Sequence, residues 1–223
     1  LQNLPVVFAL DRGGLVGADG PTHHGTFDLS YLTCIPNLVI MTPSDEDECR
    51  KMLTTAYRID GPSAVRYPRG GGPGVVTEKQ LSALPVGKGE IRRRGRSIAL
   101  LAFGSMLSPC LEAAEELDAT VANMRFVKPI DRELIIGLAA EHSLLISVEE
   151  NVLIGGAGAE VARVLEEIDS PARLVRLGIP DRFIDHGDQA RLLAEIGLDR
   201  EGIIRATREH AAFAPDECVA ANQ

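Results

Sequence analysis

Residues 98–124 read IALLAFGSMLSPCLEAAEELDATVANM, and this stretch decides the fold. The apolar run at residues 98–103 predicts a buried strand, and the spacing of apolar residues over 108–117 predicts a helix. A second apolar run, at residues 120–124, predicts another strand. A strand, a helix and a strand in this order are typical of a parallel sheet, because neighbouring parallel strands need a crossover connection.

The same alternation extends over the rest of the chain. Further strands are predicted at residues 5–10, 38–41, 63–67, 143–148 and 172–177, and further helices at 27–35, from Thr42 onward, 132–141, 158–168, and within 188–196 and 200–213. Thr42 is the predicted N-cap of the second helix and Pro43 its first residue. Its predicted inward face consists of Cys49, Met52, Leu53 and Ala56. We therefore expect an α/β protein with mainly parallel sheets covered on both faces.

One segment interrupts the alternation. Residues 75–96 lack a clear period and are rich in glycine, proline and charged residues. We place an interdomain linker at residues 81–96, between a first domain at 1–80 and a second at 97–214. A length of 223 residues is enough for two modest domains. Residues 215–223 are predicted to be a frayed tail.

The composition is that of an ordinary globular protein, with 45% apolar and 25% charged residues. A formal net charge of -9 argues against a nucleic-acid partner. No apolar run approaches the roughly 18 residues that a membrane span needs. The cysteines Cys34, Cys49, Cys110 and Cys218 are far apart, which favours buried thiols over a zinc site. We expect a soluble protein of a reducing cytosol, with neither nucleic acid nor membrane as partner.

The strongest functional signal is the block Gly17-Ala18-Asp19-Gly20-Pro21-Thr22-His23-His24-Gly25. It places a carboxylate and two imidazoles on a glycine-rich loop directly after a strand, where binding groups are common. His23 and His24 are consecutive and point in opposite directions, so we expect one to contact a ligand and the other to be structural. Asp19 either orients a hydroxyl or an imidazole, or serves the turn itself.

Two arginines follow strands of the first predicted sheet. Arg12 comes after the strand at residues 5–10, and Arg69 comes after the strand at 63–67. The carboxyl ends of parallel strands lie at the same edge of a sheet, so we expect both guanidinium groups to converge on one anion such as a phosphate. The alternative is that either arginine pairs with a surface carboxylate of this acidic chain.

A weaker signal is Ile154-Gly155-Gly156-Ala157-Gly158, which opens a predicted helix. Its backbone N–H groups could hold an anion, but the spacing does not complete a dinucleotide fingerprint, which favours a tight strand-to-helix turn. Glu149 and Glu150 just before it are predicted to cap a helix or lie at an interface rather than to act as an acid and base pair. Of the remaining histidines, His142 is expected to cap a helix end, and His186 and His210 to lie at the surface.

Seven motifs occur in one order along the chain. They are Asp11-Arg12, Leu15-Val16-Gly17-Ala18-Asp19-Gly20-Pro21-Thr22-His23, Ile40-Met41-Thr42-Pro43-Ser44-Asp45, Gly61-Pro62-Ser63-Ala64-Val65-Arg66-Tyr67-Pro68-Arg69-Gly70, Met124-Arg125-Phe126-Val127-Lys128-Pro129, Val148-Glu149-Glu150-Asn151 and Leu177-Gly178-Ile179-Pro180-Asp181. With these motifs the chain resembles the 1-deoxy-D-xylulose-5-phosphate synthases, which belong with the transketolase-like enzymes. The resemblance implies the back part of a pyrimidine-binding-type parallel-sheet domain, followed by a transketolase C-terminal-type α/β domain.

The resemblance also implies an activity. Members of this family use thiamine diphosphate and Mg²⁺ to join pyruvate to D-glyceraldehyde 3-phosphate with loss of carbon dioxide, a step toward isoprenoids, thiamine and pyridoxal. Carried over on the matched motifs, Arg12 and Arg69 would bind the phosphate of the aldehyde. Asp19 would contact a substrate hydroxyl and His23 would donate to a substrate oxygen near the reacting carbon, which makes these two the implied catalytic residues.

Part of the family's machinery has no counterpart among the 223 residues. The diphosphate- and metal-binding domain and the glutamate that activates the cofactor would lie upstream of Leu1, so the resemblance implies that this chain holds no metal and is inactive without an N-terminal segment. The implied partners are that segment, a second copy in a homodimer, and both substrates, in the cytoplasm of a bacterium or in a plastid. The alternatives are the β-like part of a 2-oxo acid dehydrogenase or of a transketolase, or a stand-alone anion-binding module.

Overall fold

The structure of the protein, a computed structural model, describes residues 1–211, which form nine strands and seven α-helices. The strands are β1 (Val7–Leu10), β2 (Val39–Met41), β3 (Ser63–Arg66), β4 (Glu90–Arg93), β5 (Ile98–Ala102), β6 (Thr120–Asn123), β7 (Phe126–Lys128), β8 (Leu144–Val152) and β9 (Arg173–Ile179). The helices are α1 (Asp28–Thr33), α2 (Glu46–Arg58), α3 (Leu107–Leu117), α4 (Arg132–Glu141), α5 (Ala157–Glu167), α6 (Gln189–Glu195) and α7 (Arg200–Ala211). The predicted α/β alternation is confirmed. The predicted tail and Cys218 lie outside the described residues.

The strands form two sheets. The first has the order β1-β3-β2-β7, with β1, β2 and β3 parallel and β7 antiparallel to β2. The second has the order β4-β6-β5-β8-β9 and is parallel except for β4. Because β1 and β3 run parallel, their carboxyl ends lie at one edge of the first sheet. Residues 11–25, which we call the candidate loop, begin there.

The structure contains two strands that the sequence analysis does not predict. β4 lies inside residues 81–96, the predicted linker, and pairs with β6. β7 follows the linker in the chain, yet it completes the first sheet by pairing with β2. The division of the chain into domains at residues 81–96 stays a prediction. Main-chain hydrogen bonds nevertheless join residues before this segment to residues after it, and the segment itself to β6.

Apolar side chains cover both faces of the second sheet. In β5, Leu100 belongs to a cluster with α3, α6 and α7, whereas Leu101 belongs to a cluster with α1, α4 and α5. The second cluster also contains Ile40 and Ala64 of the first sheet, so it joins the two sheets. This alternation is what the pleat of a strand buried on both faces requires. Of the helices in residues 1–211, none is long and apolar enough to cross a membrane.

The start of α2 differs from the prediction. Its N-cap is Asp45, whose side chain accepts a 2.8 Å hydrogen bond from the N–H of Glu48. Thr42 lies outside the helix, and its N–H donates to the carbonyl of Arg125 at 2.8 Å. Thr42 and Pro43 therefore precede the helix. Leu53, predicted to face inward, is 39% exposed because it faces an open groove.

The prediction of buried thiols holds for one cysteine. Cys110 is buried in the core, and burial raises the pKa of its thiol far above the usual range. Cys49 is half-buried and burial raises the pKa of its thiol as well. Cys34 is exposed next to the end of α1, which is a surface helix end, so the prediction is wrong there.

Candidate functional site

The candidate loop leaves the carboxyl end of β1 and returns to close on itself. The N–H of Gly13 donates to the carbonyl of Tyr67, at the end of β3, over 2.9 Å. Gly14 and Gly25 exchange hydrogen bonds in both directions, each of 3.0 Å. Residues 15–24 therefore form a closed excursion above the sheet edge, and Gly17–Asp19 form a single 3₁₀ turn in its middle.

The structure brings together the two arginines and the aspartate that the sequence singles out. The Oδ2 atom of Asp19 lies 4.0 Å from Nε of Arg12 and 3.7 Å from Nε of Arg69. The arginine side chains are 43% and 51% exposed, so both are open to solvent. Arg12 also has a φ of 58°, an uncommon conformation for a residue with a side chain and one that is frequent at ligand sites. Both guanidinium groups can thus reach a single anionic group at this edge.

The two consecutive histidines have different environments. His23 is exposed, and its ring Nδ1 lies 3.0 Å from the hydroxyl of Thr22. His24 is half-buried, and its Nδ1 accepts a 3.0 Å hydrogen bond from the N–H of Val16. This contact holds His24 inside the loop, as expected for a structural residue, and leaves His23 as the member of the pair that solutes can reach.

A buried arginine that the sequence interpretation did not select holds the loop from below. Arg66, at the end of β3, donates from Nη2 to the carbonyls of Gly25, at 2.6 Å, and Glu150, at 2.8 Å. Its Nε lies 3.5 Å from a carboxylate oxygen of Asp28. A Cβ on Gly13 would lie 2.6 Å from that same Nε, so the guanidinium requires a glycine above it. Arg66 is therefore a structural arginine, in contrast to the exposed Arg12 and Arg69.

Glu150, on β8, is the second residue that the sequence interpretation did not assign to the site. It is 2% exposed, and its Oε2 accepts a 2.8 Å hydrogen bond from the hydroxyl of Ser105. Its Oε1 accepts a 2.7 Å bond from the N–H of Leu15 in the candidate loop. Burial raises the pKa of this carboxyl, and the guanidinium of Arg66 opposes that rise. A glutamate inside an apolar strand is the sequence signal that could have identified it.

Two N–H groups of the turn at residues 154–158 already have a buried acceptor. Glu149 accepts hydrogen bonds from the N–H of Ala157 at 2.7 Å and from that of Gly158 at 2.8 Å. The predicted capping role of this glutamate is confirmed. Its buried side chain occupies the position in front of these two N–H groups, which favours the predicted tight turn over an external anion site. Burial raises the pKa of Glu149 to about 7, opposed by these two N–H groups and by the nearby arginines Arg66 and Arg176.

The other histidines lie away from the loop. His142 follows α4, with its Nδ1 3.0 Å from the carbonyl of Leu138 and its Nε2 2.8 Å from the hydroxyl of Thr120, which confirms the predicted cap. His186 is exposed, as expected. His210 is half-buried and accepts a 2.9 Å hydrogen bond from Arg173, so it is tied to β9 rather than free at the surface.

An open groove of about 1000 Å³ begins beside the loop. It runs between α2, the glycine-rich residues 70–73 and α6, and Arg69, Glu150 and Gln189 all contribute to its wall. Within residues 1–211, no three histidine, cysteine, aspartate or glutamate side chains lie together as a metal site would require. The described part of the chain thus presents two exposed arginines at a sheet edge and a groove beside them, without a set of metal ligands.

Comparisons with known proteins agree on one family. Residues 1–73 match the transketolase pyrimidine binding domain, and residues 87–203 match the transketolase C-terminal domain. A 1-deoxy-D-xylulose-5-phosphate synthase from Dechloromonas aromatica (strain RCB) is 68% identical over 208 residues, which are 93% of this chain and 34% of that protein. One from Aromatoleum aromaticum is 67% identical over 97% of this chain and 34% of its own length. The chain therefore spans about a third of the length of these curated relatives.

One solved structure is similar over almost the whole chain. It is described as "Split gene transketolase, inactive beta4 tetramer", and it superposes with a TM-score of 0.84 at 31% sequence identity. The match covers 94% of this chain and 68% of that one. The two domains identified by sequence thus also have the expected architecture.

Proposed function

Because this chain belongs to the transketolase family, we propose that it is the C-terminal part of a 1-deoxy-D-xylulose-5-phosphate synthase. Such an enzyme is a transferase that joins pyruvate to D-glyceraldehyde 3-phosphate with loss of carbon dioxide. Relatives that carry this name are 68% and 67% identical to the chain, against 31% for the split-gene transketolase. This difference supports the synthase over other members of the family.

The observation that carries the proposal is the pair of arginines around Asp19. Both Nε atoms lie within 4.0 Å of one carboxylate oxygen, so a phosphate at that position would meet two guanidinium forks. In our proposal, Arg12 and Arg69 bind the phosphate of the aldehyde. Asp19 moves off the arginines and accepts a hydrogen bond from a substrate hydroxyl.

His23 would act at the other end of the bound aldehyde. It is exposed on the same loop, and as the neutral imidazole it carries one N–H that can donate to the oxygen next to the reacting carbon. Its partner Thr22, 3.0 Å from Nδ1, can orient the ring. Binding and orientation of the acceptor are therefore the part of the reaction that this chain's residues would perform.

The family implies thiamine diphosphate and Mg²⁺, and the described residues do not fit the metal and the diphosphate of that pair. Residues 1–211 contain no set of ligands for the metal. The N–H groups at the start of α5 are filled by Glu149, and the two exposed arginines serve the acceptor phosphate. We propose that the cofactor and the metal are held mainly by an N-terminal segment of the same enzyme, and we assign no step on the cofactor to this chain.

The same proposal includes the assembly. The match to relatives three times as long supports an N-terminal segment as companion. Within residues 1–211, β1 pairs with β3 alone. Phe8 of β1, and Leu4 and Val6 just before it, are about half exposed. An edge of this kind pairs readily with another strand. We further propose a homodimer in the cytoplasm, for which the tetramer of the split-gene transketolase is a precedent for assembly of such chains.

The test is product formation by the full-length gene product, supplied with thiamine diphosphate, Mg²⁺ and pyruvate. We expect 1-deoxy-D-xylulose 5-phosphate from D-glyceraldehyde 3-phosphate, a far higher KM for unphosphorylated D-glyceraldehyde, and no turnover by residues 1–223 alone. Equal use of both aldehydes would remove the phosphate site from the proposal. Turnover by residues 1–223 alone would remove the companion segment.

The runner-up is a transketolase activity, favoured by the 0.84 TM-score to a transketolase chain. The donor separates the two, because a transketolase takes its two-carbon unit from a ketose phosphate, whereas the synthase takes it from pyruvate. A 2-oxo acid dehydrogenase would pass its product to lipoamide, which carries no phosphate for the two arginines. Product from a ketose phosphate and none from pyruvate would establish the runner-up.

A further inference from the structure

The candidate loop is anchored in the opposite half of the molecule through one residue, Leu15. Its side chain is 0% exposed and belongs to the same apolar cluster as Val148 of β8 and Leu192 of α6. Leu15 therefore leaves the first sheet and packs into the core of the second. Arg12 lies three residues before this anchor, and Asp19 lies four residues after it.

Two side chains of the second half hold both main-chain groups of this residue. Oε1 of Glu150 accepts the N–H of Leu15 at 2.7 Å, and Nε2 of Gln189 donates to the carbonyl of Leu15 at 2.6 Å. Two residues later, the carbonyl of Gly17 accepts from the N–H of Gly187 at 3.2 Å. These three hydrogen bonds hold the loop against the second half of the molecule, in addition to the burial of the Leu15 side chain.

The holding residues are themselves fixed. The side chain of Glu150 also accepts the hydroxyl of Ser105, and its carbonyl accepts from Arg66. Gln189 is the first residue of α6, whose N-cap is Asp188. A glutamate that is held at its carbonyl and at both carboxylate oxygens has little freedom to move. It therefore fixes the position of the loop residue bound to it.

The glycines on either side of Leu15 show how close this approach is. A Cβ on Gly14 would lie 2.3 Å from Cδ of Glu150, and a Cβ on Gly17 would lie 3.0 Å from the carbonyl oxygen of Gly187. Both glycines have positive φ, 81° and 76°. Their lack of a side chain lets the loop come within hydrogen-bond distance of the second half.

We propose that Glu150 and Gln189 are positioning residues of the acceptor site. They act through their hydrogen bonds to the N–H and the carbonyl of Leu15, which we call the grip. This inference rests on the proposed function, because it concerns where Arg12, Asp19 and His23 stand relative to the bound aldehyde. Neither gripping side chain needs to touch the substrate. Displacement by about 1 Å can cost an enzyme about 100-fold. The groups displaced here are the ones proposed to bind the aldehyde, so we expect the loss to appear in acceptor binding.

The test uses Gln189→Leu in the full-length gene product, with Arg191→Ala as the control on the same helix, where the exposed Arg191 contacts Glu195 rather than the loop. We expect the KM for D-glyceraldehyde 3-phosphate to rise about tenfold in Gln189→Leu, with the KM for pyruvate and the unfolding midpoint unchanged. The control should match the wild type. An equal rise in both KM values, or no rise, overturns the proposal.

A second pair of variants tests the other half of the grip. Glu150→Gln keeps an oxygen that can accept the N–H of Leu15, so it should rescue most of the acceptor binding that Glu150→Leu loses.

Amide hydrogen exchange of residues 11–25 should speed up at least tenfold in Gln189→Leu, while exchange in β5 and β8 stays slow. Unchanged exchange at residues 11–25 overturns the grip.

These readouts separate the two proposals. If the wild-type protein makes no product from pyruvate and D-glyceraldehyde 3-phosphate, the proposed function fails. Hydrogen exchange and binding of inorganic phosphate then still decide the grip, since neither depends on turnover. Faster exchange at residues 11–25 together with weaker phosphate binding supports it, and faster exchange with unchanged phosphate binding overturns the positioning role.

Discussion

Two carboxylates in this chain lie against groups that bind anions, one at the start of α5 and one in the loop after β1. Glu149 is fully buried and accepts the N–H groups of Ala157 and Gly158 at 2.7 and 2.8 Å. Asp19 is partly exposed, and its carboxylate lies 3.7 and 4.0 Å from the two arginine Nε atoms. The first contact is short, buried and made to the backbone, whereas the second is longer and joins partly exposed side chains.

The difference separates an anion-binding geometry that serves the fold from one that can serve a ligand. Buried N–H groups that already have an acceptor leave a solute nothing to gain, and removing that acceptor costs stability. Exposed ion pairs contribute only about 0–1 kcal/mol, so a phosphate can displace the carboxylate from the arginines. A glycine-rich helix start is therefore a weaker indicator of a site here than two arginines at the edge of a sheet.

The largest effect expected from breaking this comparison is on stability, through Glu149→Ala. Two buried N–H groups lose their acceptor, which should lower the free energy of unfolding by roughly 2–6 kcal/mol at pH 8. Urea unfolding followed by circular dichroism measures this. Glu160→Ala, in the first turn of the same helix, removes only a surface contact with Arg163 and should stay within about 0.5 kcal/mol of the wild type. Equal losses in both variants would mean that the buried cap is not what matters.

The second effect is a pH dependence with a defined sign. The pKa of Glu149 is raised to about 7 in the folded protein, from 4.5. The folded state therefore binds this proton more tightly than the unfolded state, so the contribution to stability is complete below pH 4.5 and is lost as the pH rises to 7. It amounts to about 3 kcal/mol.

A variant that cannot titrate isolates this contribution. Between pH 5 and pH 8, Glu149→Gln should lose less unfolding free energy than the wild type, by up to about 3 kcal/mol. Glu160→Gln should follow the wild type. Parallel curves for Glu149→Gln and the wild type would show that the carboxyl titrates at its ordinary pKa when folded.

These properties bear on how much of the molecule the sequence predicts. Apolar periodicity located most of the helices and strands, because burial sets that period. It missed β4, whose residues Glu90–Arg93 include three charged side chains and whose place in the sheet comes from main-chain pairing with β6. It also placed the start of α2 too early. Both Thr42 and Asp45 are suitable N-cap residues. The N–H of Thr42 donates to the carbonyl of the distant Arg125, and Asp45 is the N-cap.

For the candidate site, topology predicted more than motif spacing did. The approach of Arg12 to Arg69 follows from parallel strands with a shared carboxyl edge. The roles of Arg66, Glu150 and Gln189 could not be predicted in that way. Their contacts join residues 41 to 174 positions apart in the chain, and such distances are set only once the two sheets have packed.

The third effect is a loss of substrate binding without a loss of stability. Arg69→Ala should raise the KM for D-glyceraldehyde 3-phosphate by roughly 10–150-fold, because each charge-assisted bond to a phosphate contributes about 1.5–3 kcal/mol. The KM for pyruvate and the free energy of unfolding should stay near the wild-type values. Steady-state kinetics of the full-length gene product with each substrate varied in turn measures the split.

Two further variants sharpen this result. Arg69→Lys keeps the charge and loses the fork, so its effect should fall between those of the wild type and the alanine variant. Arg96→Ala removes an arginine that is 90% exposed and far from the loop in sequence, and it should change neither KM. Equal effects of Arg69→Ala on both substrates would argue that the arginine supports the whole loop rather than the phosphate.

The smallest effect is the most direct test of whether Asp19 competes with a ligand. Asp19→Asn removes the carboxylate from the two arginines, so inorganic phosphate should bind up to about fivefold more tightly to the protein without substrate, the equivalent of about 1 kcal/mol. The gain should shrink as the salt concentration rises, because exposed charges are screened. Isothermal titration calorimetry at two salt concentrations measures both. Glu149→Gln is the matched control, since it removes the charge of a carboxylate that is buried and should leave phosphate binding unchanged. A phosphate affinity in Asp19→Asn equal to or below that of the wild type would mean that Asp19 helps to hold the arginines in place, and the contrast between a replaceable and a permanent carboxylate would then be lost.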